Sequence, residues 1–199
     1  MAAAHVLVSP FPLQGHINCM LHFATALVGA GVQVTFLHTE HNLRRLGGRA
    51  STSAPAGSSP RIRFLSIPDG LPDDRRRSVA DIFELYKSLA AEAIGPYRAL
   101  LAPSPTTGSP AADVSLDPTG GFPPLTCLVA DGLLPWALDA AEELGVPAIA
   151  FRTVSACSFL AYLSVPKLFE LGELPFPAGG AGLDEPVRGV PGMESLLRR

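Results

Sequence analysis

The stretch His5-Val6-Leu7-Val8-Ser9-Pro10-Phe11-Pro12-Leu13-Gln14-Gly15-His16-Ile17-Asn18 reads as a strand, a Pro/Gly turn and the first turn of a helix. The apolar run, counted from Ala4 to Ser9, has the look of a strand buried on both faces. From Gly15 to Ala30, residues Ile17, Met20, Leu21, Ala24, Leu27 and Val28 recur at helical spacing, while Asn18, His22 and Thr25 fall on the other side. A histidine just past the carboxyl end of a first strand points into the usual ligand crevice of an open α/β sheet. It is also the side chain best suited to take a proton near neutral pH.

Working outward, the alternation continues. Val32 to His38 reads as a second strand, Asn42 to Leu46 as a loop or short helix, and Ile62 to Ile67 as a third strand stopped by Pro68-Asp69-Gly70. A helical stretch follows from Val79 to Leu101, with Pro96 expected to kink or divide it. Residues 103–124 are rich in Pro, Gly, Ser and Thr and read as a long mobile loop. Leu125 to Ala130, Trp136 to Leu144, Ala148 to Phe151 and Ser155 to Leu171 then alternate strand, helix, strand, helix. This predicts an α/β fold, a doubly wound parallel sheet with strand order 3-2-1-4-5. In that order strands 1 and 4 are neighbours, so His16 and Asp131 face each other across the crevice although they are far apart in sequence.

Composition narrows the function classes. The chain has 199 residues, 47% hydrophobic and 17% charged, enough for one folded core. A net charge of -3 gives no electrostatic case for nucleic acid or an anionic membrane. The start shows no signal peptide, and no window approaches a membrane span. Cys19, Cys127 and Cys157 match no zinc spacing and are expected to be reduced, buried and cytoplasmic. Trp136, Phe151, Phe159 and Tyr162 are expected in the core, and Asp73-Asp74-Arg75-Arg76-Arg77 in a solvated loop.

Several chemistries lack their residues. There is no G-x-S-x-G elbow, no G-x-G-x-x-G after strand 1, and no P-loop. Gly47-Gly48 reads as a plain turn. His38 and His41 have no third partner in view, so no metal site is expected. What remains is a histidine with a carboxylate: the carboxylate takes one ring N–H, and the other nitrogen becomes a proton acceptor. Against this stands a plainer reading, in which His16 caps its helix and Asp131 caps the next one. The residues alone leave both open.

The motifs, taken together, resemble plant family 1 UDP-dependent glycosyltransferases. The match is carried by Ser9 to Asn18, by Thr35-Phe36-Leu37-His38-Thr39-Glu40-His41-Asn42 and by Cys127-Leu128-Val129-Ala130-Asp131-Gly132 with Trp136. It continues through Ala140-Ala141-Glu142-Glu143-Leu144-Gly145-Val146-Pro147, Phe151 to Cys157 and Val190-Pro191-Gly192-Met193. The resemblance implies the Rossmann-like N-terminal domain of a two-domain GT-B glycosyltransferase. Residues 1–175 would bind the acceptor, 176–199 would lead toward the interdomain linker, and the C-terminal donor-binding domain would be absent. It implies His16 as catalytic base and Asp131 as its partner, with Gln14, Gly15 and Thr153 on the donor side. It further implies an inverting transfer from a UDP-sugar, UDP-glucose above all, to a hydroxyl of a small lipophilic acceptor, with no metal or other cofactor. The acceptor pocket would be apolar, between the Val79–Leu101 helices and the region after Phe151. Arg152 departs from the pattern, where an aromatic is common. The chain alone is then expected to be inactive; the competing expectations are a non-catalytic small-molecule-binding module and a fragment without function.

Overall fold

Every residue of β1 (His5–Ser9) is buried, because the strand lies at the middle of a five-stranded parallel sheet. The computed structural model describes residues 4–45, 61–102, 121–176 and 182–194. The strands β2 (Gln33–Thr39), β3 (Ile62–Ile67), β4 (Cys127–Asp131) and β5 (Ala148–Phe151) join β1 in the order β3-β2-β1-β4-β5. The order and the all-parallel pairing are those the alternation predicts.

Alternation along the strands sorts two cores. Val6, Val8, Val34, Phe36 and Val129 face Ile17, Met20 and Ala24 of α1 (Gln14–Gly29). Leu7, Leu37, Leu128 and Ala130 face the other layer. That layer is α3 (Ile82–Glu92), α4 (Ile94–Leu101) and α5 (Pro135–Glu143), which contribute Leu85, Leu89, Tyr97, Ala137 and Ala140. A short α2 (Glu40–Arg45) follows β2 directly. The helical stretch before residue 102 is divided as expected. Pro96 has no N–H to offer the Glu92 carbonyl and its ring crowds that position, so α3 stops at Glu92 and α4 begins at Ile94.

The chain divides into two compact units, Met1–Thr153 and Val154–Arg199. In the second, α6 (Ala156–Glu170) starts at Ser155, whose Oγ accepts the Ser158 N–H at 3.1 Å. Its Leu160 and Leu168 pack with Val187, Val190 and Met193.

Three expectations are corrected. Cys19 and Cys157 are exposed and Cys127 is half-buried; Cys19 lies between the inward positions Ile17 and Met20, on the solvent side of α1. Tyr162 is 68% exposed, because the inward face of α6 is set by Leu160, Ser164 and Leu168, four residues apart. Trp136 is buried as expected, edge-on to Tyr97 at 5.0 Å. The Asp73–Arg77 run is only partly solvated, since Arg77 is buried in an ion pair with Asp69. The Gly47-Gly48 turn and residues 103–120 of the expected loop lie outside the described residues, as do 177–181 and 195–199 of the tail.

Candidate active site

Three neighbouring strand ends, β1, β4 and β5, deliver the side chains of the site. After β1 the chain turns tightly, with Leu13 N–H bonded to the Phe11 carbonyl at 2.8 Å, and α1 starts at Gln14. His16 therefore sits in the first turn of α1. Asp131 is the last residue of β4, which pairs directly with β1. The imidazole Nδ1 lies 2.7 Å from Asp131 Oδ2. Asp131 is 98% buried by side chain and His16 about four-fifths, with 2% and 21% exposed respectively.

Asp131 divides its oxygens between two contacts, and neither is the helix cap of the plainer reading: the N-cap of α5 is Leu134, and His16 lies inside α1. Oδ1 accepts the Leu133 N–H at 3.0 Å, the local turn contact. Oδ2 is left for His16. A carboxylate only accepts, so the proton between them belongs to Nδ1. In the neutral ring Nε2 then carries the lone pair, and no described residue is bonded to it. Phe11, buried, packs its ring 5.5 Å from the imidazole.

Thr153, two residues past β5, brings Oγ1 to 2.9 Å from the same Nδ1. The resemblance put Thr153 on the donor side; its contact with His16 was not foreseen. The signal for it is topological, since β5 lies next to β4. Gln14 and Gly15 form the exposed start of α1, and Gln14 Nε2 donates to Asn18 Oδ1 at 2.6 Å. Among the described residues no side chain caps this helix start and nothing lies within 4 Å of the position a Gly15 Cβ would take, and the first turn has no acidic residue. Free N–H groups at such a start favour an anion.

Beside this cluster, on the α3–α5 side, Ser9 Oγ and the Tyr97 hydroxyl pair at 3.3 Å. Burial holds the Tyr97 hydroxyl above its ordinary pKa. With Leu37, Thr39, Leu89 and Trp136 they line a cavity of about 20 Å³, room for a single water. Leu89 and Tyr97 come from the helices expected to wall the acceptor pocket, but the enclosed space is far below the few hundred Å³ of a ligand pocket. His38 and His41 do not assemble a metal site: among the described residues no group of three or more His, Cys, Asp or Glu is placed to hold an ion.

No protein-family model matches the chain. Among curated proteins, it is 41% identical to a myricetin 3-O-rhamnoside 1,2-glucosyltransferase of Crocosmia x crocosmiiflora, over 100% of this chain and 38% of the relative. It is 38% identical to a 7-deoxyloganetic acid glucosyltransferase of Catharanthus roseus (99% and 38% covered). It is 36% identical to an (R)-mandelonitrile beta-glucosyltransferase of Prunus dulcis (96% and 38% covered). The chain thus spans about 38% of the length of these relatives. Among solved structures it resembles Os79 from O. sativa in complex with UDP, with TM-score 0.59 and 28% identity over 91% of this chain and 38% of that one. A UDP-glucose:anthocyanidin 3-O-glucosyltransferase in complex with UDP shares the fold, with TM-score 0.66 at 20% identity, covering 98% of this chain and 38% of that one.

Proposed function

This chain belongs to the plant family 1 UDP-glycosyltransferases and matches the N-terminal part of its relatives, and we propose that it forms the acceptor-side half of a UDP-sugar transferase. The observation that supports this best is the His16–Asp131 pair, 2.7 Å apart, with no described residue bonded to Nε2. In this reading residues 1–175 bind the acceptor, 176–199 lead toward the second domain, and the UDP-sugar is held largely by the part of the relatives that this chain does not match.

The mechanism is a single in-line displacement. His16 Nε2 takes the proton of the acceptor hydroxyl as its oxygen attacks the anomeric carbon, and UDP departs from the opposite face, inverting that centre. The base matters because a phenolic hydroxyl has a pKa of about 10. Asp131 keeps the proton on Nδ1 and stabilises the imidazolium that forms. The uncapped start of α1 at Gln14 and Gly15 faces the departing phosphate charge, and Thr153 lies at the sugar. The acceptor is a small lipophilic metabolite, in keeping with the acceptors named for the relatives. We place the protein in the cytoplasm: the exposed Cys19 and Cys157 are unpaired, as a reducing compartment keeps them. No helix among the described residues is long and apolar enough to cross a membrane.

The test joins this chain to the C-terminal part of the Crocosmia relative and follows UDP release over phenolic and terpenoid acceptors. Transfer is expected, and His16→Ala should lower kcat/KM by about 10²–10⁴-fold. Asp131→Ala should come close to it. A folded fusion without transfer, or a His16→Ala fusion with full activity, overturns the reading.

A further inference from the structure

We propose that Thr153 is a positioning residue for His16, holding the imidazole in place as a third member of the His16–Asp131 pair. The inference rests on the reading of His16 as the base. Two oxygens, Asp131 Oδ2 at 2.7 Å and Thr153 Oγ1 at 2.9 Å, converge on one ring nitrogen that carries one hydrogen. Asp131 cannot donate, so the hydrogen is on Nδ1 and both oxygens accept it. The Thr153 hydroxyl keeps its own hydrogen, which no described residue accepts.

The second acceptor adds something the first cannot. The outer torsion of a histidine is broad, so a ring held by one bond rocks about that bond and swings Nε2. An oxygen off the axis of the first bond stops the rocking. Thr153 suits this because its branched side chain has few rotamers. The two residues before it are also tied down. Gly132 N–H bonds the Phe151 carbonyl at 2.8 Å, and Arg152 Nη1 donates back to the Gly132 carbonyl at 3.2 Å. Arg152 lies so close over Gly132 that a Cβ there would come within 2.6 Å of its Cδ, Nε and Cζ. The β4 and β5 ends are thereby joined, and Asp131 and Thr153 approach the ring as one unit. Arg152, the departure from the family pattern, is part of that joint.

The test reads the ring directly, in the 199-residue chain with ¹⁵N-labelled histidine, by the rate at which the His16 Nδ1 hydrogen exchanges with water. Thr153→Val keeps the shape and removes the oxygen. It should speed exchange about three- to tenfold, the span one hydrogen bond commands, and Thr153→Ser should restore the slow rate. In the fused enzyme Thr153→Val should lower kcat and leave the acceptor KM unchanged, since a misaimed base costs rate rather than binding. Exchange unchanged in Thr153→Val overturns the proposal, and a raised KM for UDP-glucose alone would then assign Thr153 to the sugar only. Should the fusion transfer no sugar while Thr153→Val still speeds exchange, the positioning stands and the transferase reading falls.

Discussion

Asp131 serves two partners because its oxygens are separable, and a second buried carboxylate, Asp69, is used as fully. Arg77 Nε donates to Asp69 Oδ2 at 3.0 Å and Nη2 to Oδ1 at 2.7 Å. The remaining guanidinium hydrogens reach the carbonyls of Leu71, Pro72 and Arg75. Both side chains are at most 4% exposed. The neighbouring pairs Arg44–Asp73 and Arg75–Glu84 are about half exposed and hold little. Removing one member of the buried pair strands the other. Arg77→Ala should therefore cost about 3–5 kcal/mol in urea unfolding, whereas Arg75→Ala, at an exposed pair, should leave the urea midpoint close to the parent's. Equal, small losses in the two variants would show that the Asp69–Arg77 pair does not hold the loop. The pair was not legible in the sequence: Arg77 ends a run of charges that looks solvated throughout. Only the turn signal Pro68-Asp69-Gly70, which puts an acid against the end of β3, hints that one cation folds back.

At the scale of elements, that turn is seated on α3. Ser88 Oγ donates to the Asp69 carbonyl at 2.8 Å, and Gly70 adopts φ +78°. A Cβ at Gly70 would meet Ser88 Oγ at 2.5 Å and Glu92 Cγ at 2.6 Å. Gly70→Ala thus combines a left-handed backbone with a collision and should cost about 1–3 kcal/mol or more; a urea midpoint equal to the parent's would refute this seating. The elements themselves were largely readable. Short apolar runs and the 3.6 period place β1 to β5 and the helices, and Pro96 marks the α3–α4 break. Strand order alone brings His16 and Asp131 together. What escaped were contacts that need three elements at once. Thr153 reaches His16 only because β1, β4 and β5 are adjacent, and spacing along the chain carries no trace of a bond across 137 positions. The exposed Tyr162 and Cys19 were misplaced for a simpler reason: an apolar residue in an apolar helix looks buried until the inward face is known.

Across the whole molecule, two histidines with no part in the proposed chemistry tie stability to pH. His5, fully buried in β1, donates from Nδ1 to the Pro123 carbonyl at 2.7 Å. Its Nε2 therefore accepts from Thr35 Oγ1 at 2.8 Å, and Thr35 in turn accepts from Arg63 Nε. Arg63 also stacks over Phe122, 4.1 Å from its centroid. Burial, with a smaller push from the Arg63 charge, lowers the His5 pKa to about 4. His38 lies in β2 between the rings of Phe36 and Phe64. Its Nδ1 is buried and has no hydrogen-bond partner among the described residues, and burial lowers its pKa to about 4 as well. In the unfolded chain both titrate near 6.5. Between those values the unfolded state binds the more protons, so stability rises with pH and is lost as pH falls from 6.5 toward 4. The slope approaches about 1.4 kcal/mol per pH unit for each histidine. His38→Phe fits the aromatic stack and removes the orphaned nitrogen. It should leave stability near neutral pH unchanged or higher and make the acid slope of the urea unfolding free energy shallower. An acid slope as steep in His38→Phe as in the parent would mean that the buried neutral imidazole of β2 is not what makes this fold acid-labile.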